Sequence, residues 1–473
     1  MPTAAAESQS AHRLSLVIHA ADKVLFQGCF SGCGPCFGSR AAFAAPLSKM
    51  YQLDASSTLR LPRPETLQRV WTVVGRTVLA LGCTSLLTDV SSEMVSTVLP
   101  IYLVLHLGLT PLQFGLVDGI YQGITALVRL LGGLAADRSQ RHKEIAAAGY
   151  GISALCKIGL GAAGAAWPVL AGVVAVDRMG KGVRTAPRDA LISLSTPPAQ
   201  LGMAFGVHRA FDSAGAMLGP LVALAILANL PDRFDLVFVV SFGFAIVGLG
   251  VLLLFAENVR RSSAAGAADP PPRPLAFEPG QLRSLAGLTT AAALLSVATV
   301  SDAFLYLLLQ REAGFNAALF PLLYVGTAGG FLLLAVPAGR LADRVGRRVT
   351  FLAGHVLLVL AYLLTAHQHP GPVIVASCLL LLGGYYAMTD GVLMALASGM
   401  CRPAQRASGM ALVTTVTSAA RFVAPVAFGA LWMHYDATTA VRVFTCALIA
   451  AVALAGVILR SECGTCEADV PAR

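Results

Sequence analysis

The sequence predicts an all-α membrane protein with twelve transmembrane helices in two pseudo-symmetric six-helix bundles. Three observations support this prediction: few charged residues, a regular series of apolar segments, and a motif that occurs twice. Of the 473 residues, 56% are hydrophobic and only 12% are charged, and the mean hydropathy is +0.72. Soluble proteins carry roughly 25% charged residues. A chain this poor in charge cannot coat a soluble core, so lipid is the natural solvent for most of its surface.

Apolar segments long enough to cross a bilayer, which takes about 20 residues, follow one another from residue 73 onward. We expect the first six near 76–105, 112–135, 145–165, 168–190, 203–229 and 235–256. The second six are expected near 284–309, 317–338, 349–367, 372–397, 407–432 and 439–460. The predicted organisation is an N-terminal bundle at 73–256, a polar, Pro-rich cytoplasmic linker at 257–282 and a C-terminal bundle at 283–460, followed by a tail at 461–473.

Residues 1–72 lack a long apolar segment and are predicted to form a disordered cytoplasmic tail. A start at Met50 would keep every span, which leaves open whether residues 1–49 belong to the native protein. Cys29, Cys33 and Cys36 have the spacing of an iron–sulfur motif, but such a cluster needs a barrel domain that 70 residues cannot supply; a loose metal-binding tail is the alternative. We therefore predict no metal, no cofactor and no enzymatic activity.

The net charge of +9 comes from basic residues clustered between the apolar segments, which is the distribution of cytoplasmic loops rather than of a nucleic-acid-binding surface. One side of the predicted membrane has little basic charge beyond Arg233 and Arg311. The positive-inside rule places the other side, with both termini, in the cytoplasm, and the expected location is the cell inner membrane. The basic residues of that side are Arg138, Arg141, Lys143, Arg260, Arg261, Arg273, Arg283, Arg344, Arg347, Arg348, Arg402 and Arg406.

A short motif follows both the second and the eighth predicted span. Gly133, Asp137 and Arg138 form its first copy, and Gly339, Asp343 and Arg344 form its second. The same motif six spans apart indicates duplication, a common plan among transporters. The pattern resembles the loop signature of the major facilitator superfamily, Gly-x-x-x-Asp-Arg/Lys-x-Gly-Arg/Lys-Arg/Lys. The second copy is complete with Gly346, Arg347 and Arg348, whereas the first has Gln140 and His142 at two signature positions.

The resemblance covers about 75–460 and extends to a little-described bacterial subgroup without a secure substrate. It implies two six-helix halves that rock about a central solute site. The motif glycines permit close helix approach, and the Asp four residues later lies on the same helix face. Gly133, Asp137, Arg138, Gly339, Asp343 and Arg344 are therefore candidates for a latch between the halves. The alternative is that the basic residues only set the topology.

Span five carries a glycine pattern that resembles the antiporter signature of exporting branches of the superfamily. Gly206, Gly215, Gly219 and Pro220 fit this pattern, while Ala223 and Leu224 stand where Gly-Gly is usual. The pattern favours export; close helix packing alone is the alternative interpretation of Gly215 and Gly219.

Ionisable residues inside apolar segments are costly, on the order of 3 kcal/mol each on insertion scales, and are candidates for function. Asp89 and Glu93 lie four residues apart on one face of span one. Two close carboxylates in a low dielectric do not both ionise readily, which suits proton coupling. The alternative is static pairing with basic residues, for which Arg178 and Arg209 are the expected partners.

Span four carries Arg178, Lys181, Arg184 and Arg188 at three- and four-residue steps, a basic stripe that would attract an anionic solute. The alternatives are that these basic residues only set the topology or pair with Asp177 and Asp189. For His208 we expect a hydrogen-bonded structural role, with proton shuttling as the alternative. The resemblance implies that spans one, four, seven and ten line the cavity, and each carries a charge. The substrate-cavity candidates are Arg178, Lys181, Arg209, Asp302, Asp390 and Arg421; Asp118 and Arg129 are interior charges without an assigned role.

These observations predict a secondary active transporter, with proton-coupled efflux of a small organic metabolite or drug by antiport. The alternatives are uptake or exchange of an organic anion, and a solute sensor that does not transport. The predicted partners are a small-molecule solute, protons and the lipid bilayer, without nucleic acid, and the chain is expected to act as a monomer.

Overall fold

The computed structural model describes residues 75–139, 141–197, 200–257, 279–366, 370–401 and 405–461, all within one compact unit. The predicted 1–72 tail and most of the 257–282 linker lie outside the described residues. In the first half, the helices are α1 Arg76–Ile101, α2 Pro111–Ser139, α3 His142–Ala162, α4 Trp167–Leu194, α5 Leu201–Asn229 and α6 Phe234–Phe255. In the second half they are α7a Pro279–Val297, α7b Asp302–Ala313, α8 Pro321–Val345, α9 Arg347–Thr365, α10 Pro372–Gly399, α11 Arg406–His434 and α12 Ala437–Ser461.

The described residues thus form twelve helical rods, and the all-α membrane fold is confirmed. Ten rods have the length and apolar composition needed to cross a bilayer. The other two are α2 and α4. Both have low hydropathy because they carry many charged residues. The charged residues of α2 are Asp118, Arg129, Asp137 and Arg138, and α4 carries more than α2 does. Helices this polar are stable in a membrane only where their charged faces meet protein or a water-filled cavity.

The seventh rod is broken, although a single uninterrupted span near 284–309 was expected. α7a ends at Val297, and α7b begins at Asp302 after an extended Ser301. The backbone N–H of Val300 in this break donates to the hydroxyl of Tyr362, at 2.7 Å, which satisfies a group that the helix has released. The break places Asp302 in the first turn of α7b, in the interior of the molecule.

The pattern of helix packing in the first half recurs in the second. α1 packs on α5 and α6 as α7a packs on α11 and α12; α2 packs on α4 as α8 packs on α10. α3 contacts α4 and α6, and α9 contacts α10 and α12 in the same way. This recurrence is the structural counterpart of the duplicated motif.

The two halves meet chiefly through α2 against α11 and through α5 against α8. Along α2, Gly115 and Gly119 allow the backbone of α11 at Pro425 and Phe422 to approach closely. This part of α2 is its N-terminal third, remote from the basic loop that follows Ser139. The halves therefore close on the side away from the basic loops, which we call the opposite side. The side that carries the basic loops is called the basic-loop side.

Candidate functional site

A cavity of about 110 Å³ lies between the two halves, where α1, α2, α7b and α8 meet. Its polar wall includes three carboxylates, one from each of α1, α2 and α7b. The remaining wall is largely aromatic and aliphatic. The lining residues are Glu93, Ser96, Leu99, Pro100, Phe114, Val117, Asp118, Tyr121, Gln122, Asp302, Ala303 and Tyr324.

Four aromatic rings pack together at the opposite-side end of the cavity. The Phe304 ring lies 4.8 Å from Phe114, 4.9 Å from Phe428 and 5.7 Å from Trp432, centroid to centroid. Because Phe114 is on α2, Phe304 on α7b and the other two on α11, this aromatic plug joins the two halves. It closes the cavity toward the opposite side.

Asp118 and Asp302 are the two carboxyl residues that α2 and α7b contribute to the cavity. Tyr386 donates its hydroxyl to Asp302 Oδ2 at 2.8 Å. Asp118 is only 7% exposed, and the Ser301 hydroxyl and the Gln122 amide lie beside its carboxylate, but Oδ2 accepts no hydrogen bond of ordinary geometry among the described residues. Among the described residues, no Lys or Arg forms an ion pair with either carboxylate. The cavity therefore presents two carboxyl groups that form no direct ion pair within the part of the chain that the structure describes.

A ladder of polar pairs connects α1 to α4 beside this cavity. Glu93 Oε1 lies 3.8 Å from Lys181 Nζ, and Asp89 Oδ1 lies 3.6 Å from Arg184 Nη2. One turn further, Arg188 donates to Ser85 Oγ at 3.1 Å. Since the helices run antiparallel, each step back along α1 meets a step forward along α4. Lys181 and Arg184 of the fourth-span stripe thus face the carboxylates of the first span rather than an open cavity.

Glu93 is the member of this ladder that also reaches the cavity. Its Oε2 accepts a hydrogen bond from the Ser96 hydroxyl at 2.7 Å. Asp89 lies one turn nearer the basic-loop side. The expected partners of these carboxylates were Arg178 and Arg209, but the structure pairs them with Lys181 and Arg184. The spacing of the residues along each helix was correctly predicted, but which α4 side chain meets α1 depends on the rotation of α4 about its axis.

Arg178 is held inside the first half by a buried triad. Asp177 accepts from Lys157 Nζ at 2.8 Å and from Arg178 Nε at 3.0 Å. The guanidinium of Arg178 lies 4.1 Å from the centre of the Tyr121 ring, and Tyr121 lines the cavity. Arg178 therefore sits behind Tyr121 rather than in the cavity wall. Burial of three charges requires such mutual pairing.

The end of the ladder nearest the basic loops joins a second polar cluster. Ser85 Oγ lies 2.9 Å from His208 Nε2, and Asp212 lies within 3.8 Å of Arg188, His208 and Arg209. The Arg209 side chain is 82% exposed. His208 is buried and hydrogen-bonded, and Arg209 lies outside the cavity lining.

Asp390 and Arg421 pair with each other in the second half, 3.9 Å apart, with side chains 54% and 41% exposed. Their exposure, like that of Arg129 in the first half, shows that the halves are separated on the basic-loop side. Of the four charges expected to share one cavity, Asp302 lines it. Asp89 lies in the ladder, Arg178 behind Tyr121, and Asp390 nearer the basic-loop side.

The motif residues that the structure describes are solvent-accessible. Arg138, Gly339, Asp343 and Arg344 are exposed, and none of these described side chains forms an ion pair. The surroundings of Gly133 and Asp137 lie outside the described residues. A latch that joins the halves on the basic-loop side would be open here, in keeping with the separation of the halves on that side.

The glycines of α5 differ from one another in their contacts. An added Cβ at Gly215 would lie 2.5 Å from the Leu86 carbonyl oxygen, and one at Gly219 would lie 2.7 Å from the Glu93 Cβ. Gly206 has no neighbour within 4 Å of such a Cβ. Pro220 is buried inside α5. Gly215 and Gly219 therefore hold α5 close to the part of α1 that carries Asp89 and Glu93.

Asp118 received no role from the sequence, although its helix carried a signal. Phe114, Asp118 and Gln122 recur every four residues, so they share one face of α2. That face lines the cavity. The contribution of Tyr324 and the four-ring plug had no comparable sequence signal, because aromatic residues in apolar helices are common in ordinary cores.

Comparison with known proteins gives consistent matches. The sequence model of the Major Facilitator Superfamily matches residues 81–425 and 286–462. A relative in Methanocaldococcus jannaschii, an uncharacterized MFS-type transporter, is 29% identical over 370 residues, which cover 76% of this chain and 89% of the relative.

Two solved structures share the fold. A POT family transporter in complex with 5-aminolevulinic acid gives a TM-score of 0.70 at 13% identity, covering 83% of this chain and 99% of that one. The nucleoside transporter NupG gives a TM-score of 0.67 at 13% identity, covering 81% of this chain and 98% of that one.

Proposed function

This chain belongs to the Major Facilitator Superfamily, and from that premise we propose that it exports a small organic solute in exchange for protons. Family and fold make it a multi-pass membrane protein and a secondary transporter rather than an enzyme. The finer proposal is proton-coupled antiport by alternating access in the cell inner membrane, with both termini in the cytoplasm. The protein acts as a monomer, and nucleic acid has no part in the cycle.

The observation that carries this proposal is the position of Glu93, which belongs both to the cavity wall and to the charge ladder. Its one oxygen accepts from Ser96, and its other oxygen faces Lys181 across 3.8 Å. A proton on Glu93 removes the charge that attracts Lys181. Occupancy of the cavity and the link between α1 and α4 can therefore respond to the same proton.

Asp89 extends the effect by one turn toward the basic-loop side. Arg184 lies 3.6 Å from Asp89 and 4.4 Å from the centre of the Tyr150 ring, so it keeps a partner when the carboxylate is neutralised. A cation that stays on a ring face loses less on loss of its ion pair. Protons can then pass between Glu93 and the basic-loop side through Asp89 without stranding a buried cation.

The export direction rests on the glycine pattern of α5, and the state seen here is the one in which an exporter would load its solute. The aromatic plug closes the opposite side, and the positive-inside rule makes the basic-loop side cytoplasmic. A cytoplasmic solute would reach the carboxylates in this state. The organic-anion alternative has less support, because Lys181, Arg184 and Arg188 each have an acidic partner among the described residues.

The test is solute flux in proteoliposomes with and without an imposed pH gradient. The panel contains organic amines, carboxylates and neutral solutes of matched size. We expect the gradient to drive accumulation of at least one solute by wild-type protein. Glu93→Gln should lose gradient-driven accumulation but keep downhill flux. Glu257→Gln, which makes the same change at an exposed site after α6, should behave like wild type. Gradient-independent flux in wild type, or intact coupling in both Glu93→Gln and Asp89→Asn, would refute the proposal.

A further inference from the structure

We propose that the closed end of the cavity binds the ammonium group of an organic amine between Asp118 and Asp302. This inference rests on the proposed transport function and names the substrate class of the same cavity. It concerns equilibrium binding, so it can be tested separately from proton coupling.

The first support is the unsatisfied state of Asp118. The residue is more than nine-tenths buried, lines the cavity, and has an Oδ2 that accepts no hydrogen bond among the described residues. The Ser301 hydroxyl lies beside this carboxylate but does not donate to it in ordinary hydrogen-bond geometry. A buried polar atom without a hydrogen-bond partner is energetically costly, and a ligand that supplies the partner removes that cost. An ammonium group, with three N–H donors, can satisfy several acceptors at once.

The second support is Asp302, which supplies a further acceptor from the other half of the molecule. Tyr386 donates to its Oδ2 only, and Asp302 lines the same small cavity as Asp118. A cation between two such carboxylates is attracted by both. Because one carboxylate is on α2 and the other on α7b, the bound cation would bridge the two halves of the transporter.

The third support is charge balance, which separates a cation from an anion or a neutral solute. The nearest basic side chains are engaged elsewhere: Arg178 with Asp177, and Arg421 with Asp390. The pair therefore favours a cation over an anion or a neutral solute, and the shape of the remaining wall decides which kind of cation fits.

The body of the ligand follows from the rest of the wall. Phe114 and Tyr324 line the cavity next to the carboxylates, and the aromatic plug lies beyond them. Aromatic faces favour both a cation and an apolar group. The wall thus selects a compact primary amine with an apolar or aromatic body, such as phenethylammonium.

The experiment measures binding to the purified full-length protein in detergent at neutral pH, by isothermal titration calorimetry. The probes are phenethylammonium, neutral 2-phenylethanol and anionic phenylacetate, which differ in charge but little in shape. We expect phenethylammonium to bind at least about tenfold more tightly than either analogue. Asp118→Asn and Asp302→Asn should each weaken it by about tenfold or more. Asp235→Asn, an exposed carboxylate at the start of α6, should leave its affinity unchanged.

The analogue series uses wild-type protein, so it stays informative if a cavity variant does not fold. Equal or tighter binding of phenylacetate or 2-phenylethanol would overturn the amine site, as would full affinity in a folded Asp118→Asn variant. Failure here, with pH-driven flux of another solute intact, would refute the amine site alone. Amine binding without any gradient-driven flux would refute proton coupling and leave the site standing.

Discussion

A methyl group added at Gly119 of α2 should shift the protein away from the state that is closed on the opposite side. The new Cβ would lie 2.6 Å from the carbonyl oxygen of Phe422 on α11, 0.8 Å short of the 3.4 Å at which ordinary contact begins. The obstacle is backbone, which cannot rotate away as a side chain can. α2 and α11 must therefore separate, and these two helices form the main contact between the halves on that side.

Overpacking of this kind costs about 1–3 kcal/mol. The clash exists only where α2 touches α11, so the cost falls on the closed state and spares a state in which the halves have parted there. The conformational equilibrium should then change by about 5- to 150-fold. Alanine also favours a helix over glycine by about 1 kcal/mol, but α2 is helical in both states and this gain cancels.

Gly132→Ala provides a matched control on the same helix. Its Cβ would also lie 2.6 Å from a carbonyl oxygen, that of Val183 on α4. Because α2 and α4 belong to the same half, this clash should lower thermal stability without favouring either conformation. The Gly132 clash is the more severe of the two, since its Cβ would also lie 2.7 Å from the Val183 Cα, so an absence of any conformational shift there is a stringent control.

The assay is double electron–electron resonance between spin labels at Thr110 and Tyr435, in a background without native cysteines. These positions flank the start of α2 and the end of α11 on the opposite side. Wild type and Gly132→Ala should show a short-distance population that Gly119→Ala loses to longer distances. An unchanged distance distribution in Gly119→Ala, or an equal shift in Gly132→Ala, would refute the reasoning.

Two further predictions concern the buried triad and the aromatic plug. Asp177→Asn leaves Lys157 and Arg178 buried without an acidic partner and should lower the free energy of unfolding by about 3–5 kcal/mol. Lys157→Met keeps the Arg178–Asp177 pair and should lower it by less. Thermal unfolding in detergent measures both variants, and equal losses of stability would contradict the pairing. Phe304→Ala removes the ring that contacts the three others and should lower the free energy of unfolding by about 3–5 kcal/mol. It should also allow solute to leak passively across proteoliposome membranes. Absence of leak in this variant would show that the plug does not seal the cavity.

Much of the fold could be predicted from the sequence because a membrane imposes long apolar helices, and each predicted span corresponds to a helical rod. The break at Thr299–Ser301 could not be predicted. Its residues are compatible with a helix, and the interruption is stabilised by the Tyr362 hydroxyl, which comes from a distant part of the chain. Hydropathy identifies α2 and α4 as the least apolar rods, but it does not show that Asp118, Asp177 and Arg178 are buried in them.

The site was less accessible to sequence reasoning. Helical spacing placed Asp89 and Glu93 on one face and the α4 cations on another, but the pairing with Lys181 and Arg184 depends on how the two helices are rotated. Arg178 lies behind Tyr121 because it pairs with Asp177, which also accepts from Lys157 of α3. Asp118 gains its importance from Asp302, which lies in the other half. Contacts between distant segments, which no local pattern encodes, decided each of these outcomes.

The central claim is that one cavity between the halves opens to each side in turn. The most direct test is the reactivity of a cysteine at Gln122, in the cavity wall, toward a membrane-impermeant maleimide applied from each side. The measurement is made before and after cross-linking cysteines introduced at Thr110 and Tyr435. We predict reaction from the basic-loop side in both cases, and from the opposite side only without the cross-link. Reaction from the opposite side while the cross-link holds, or from neither side, would contradict the account.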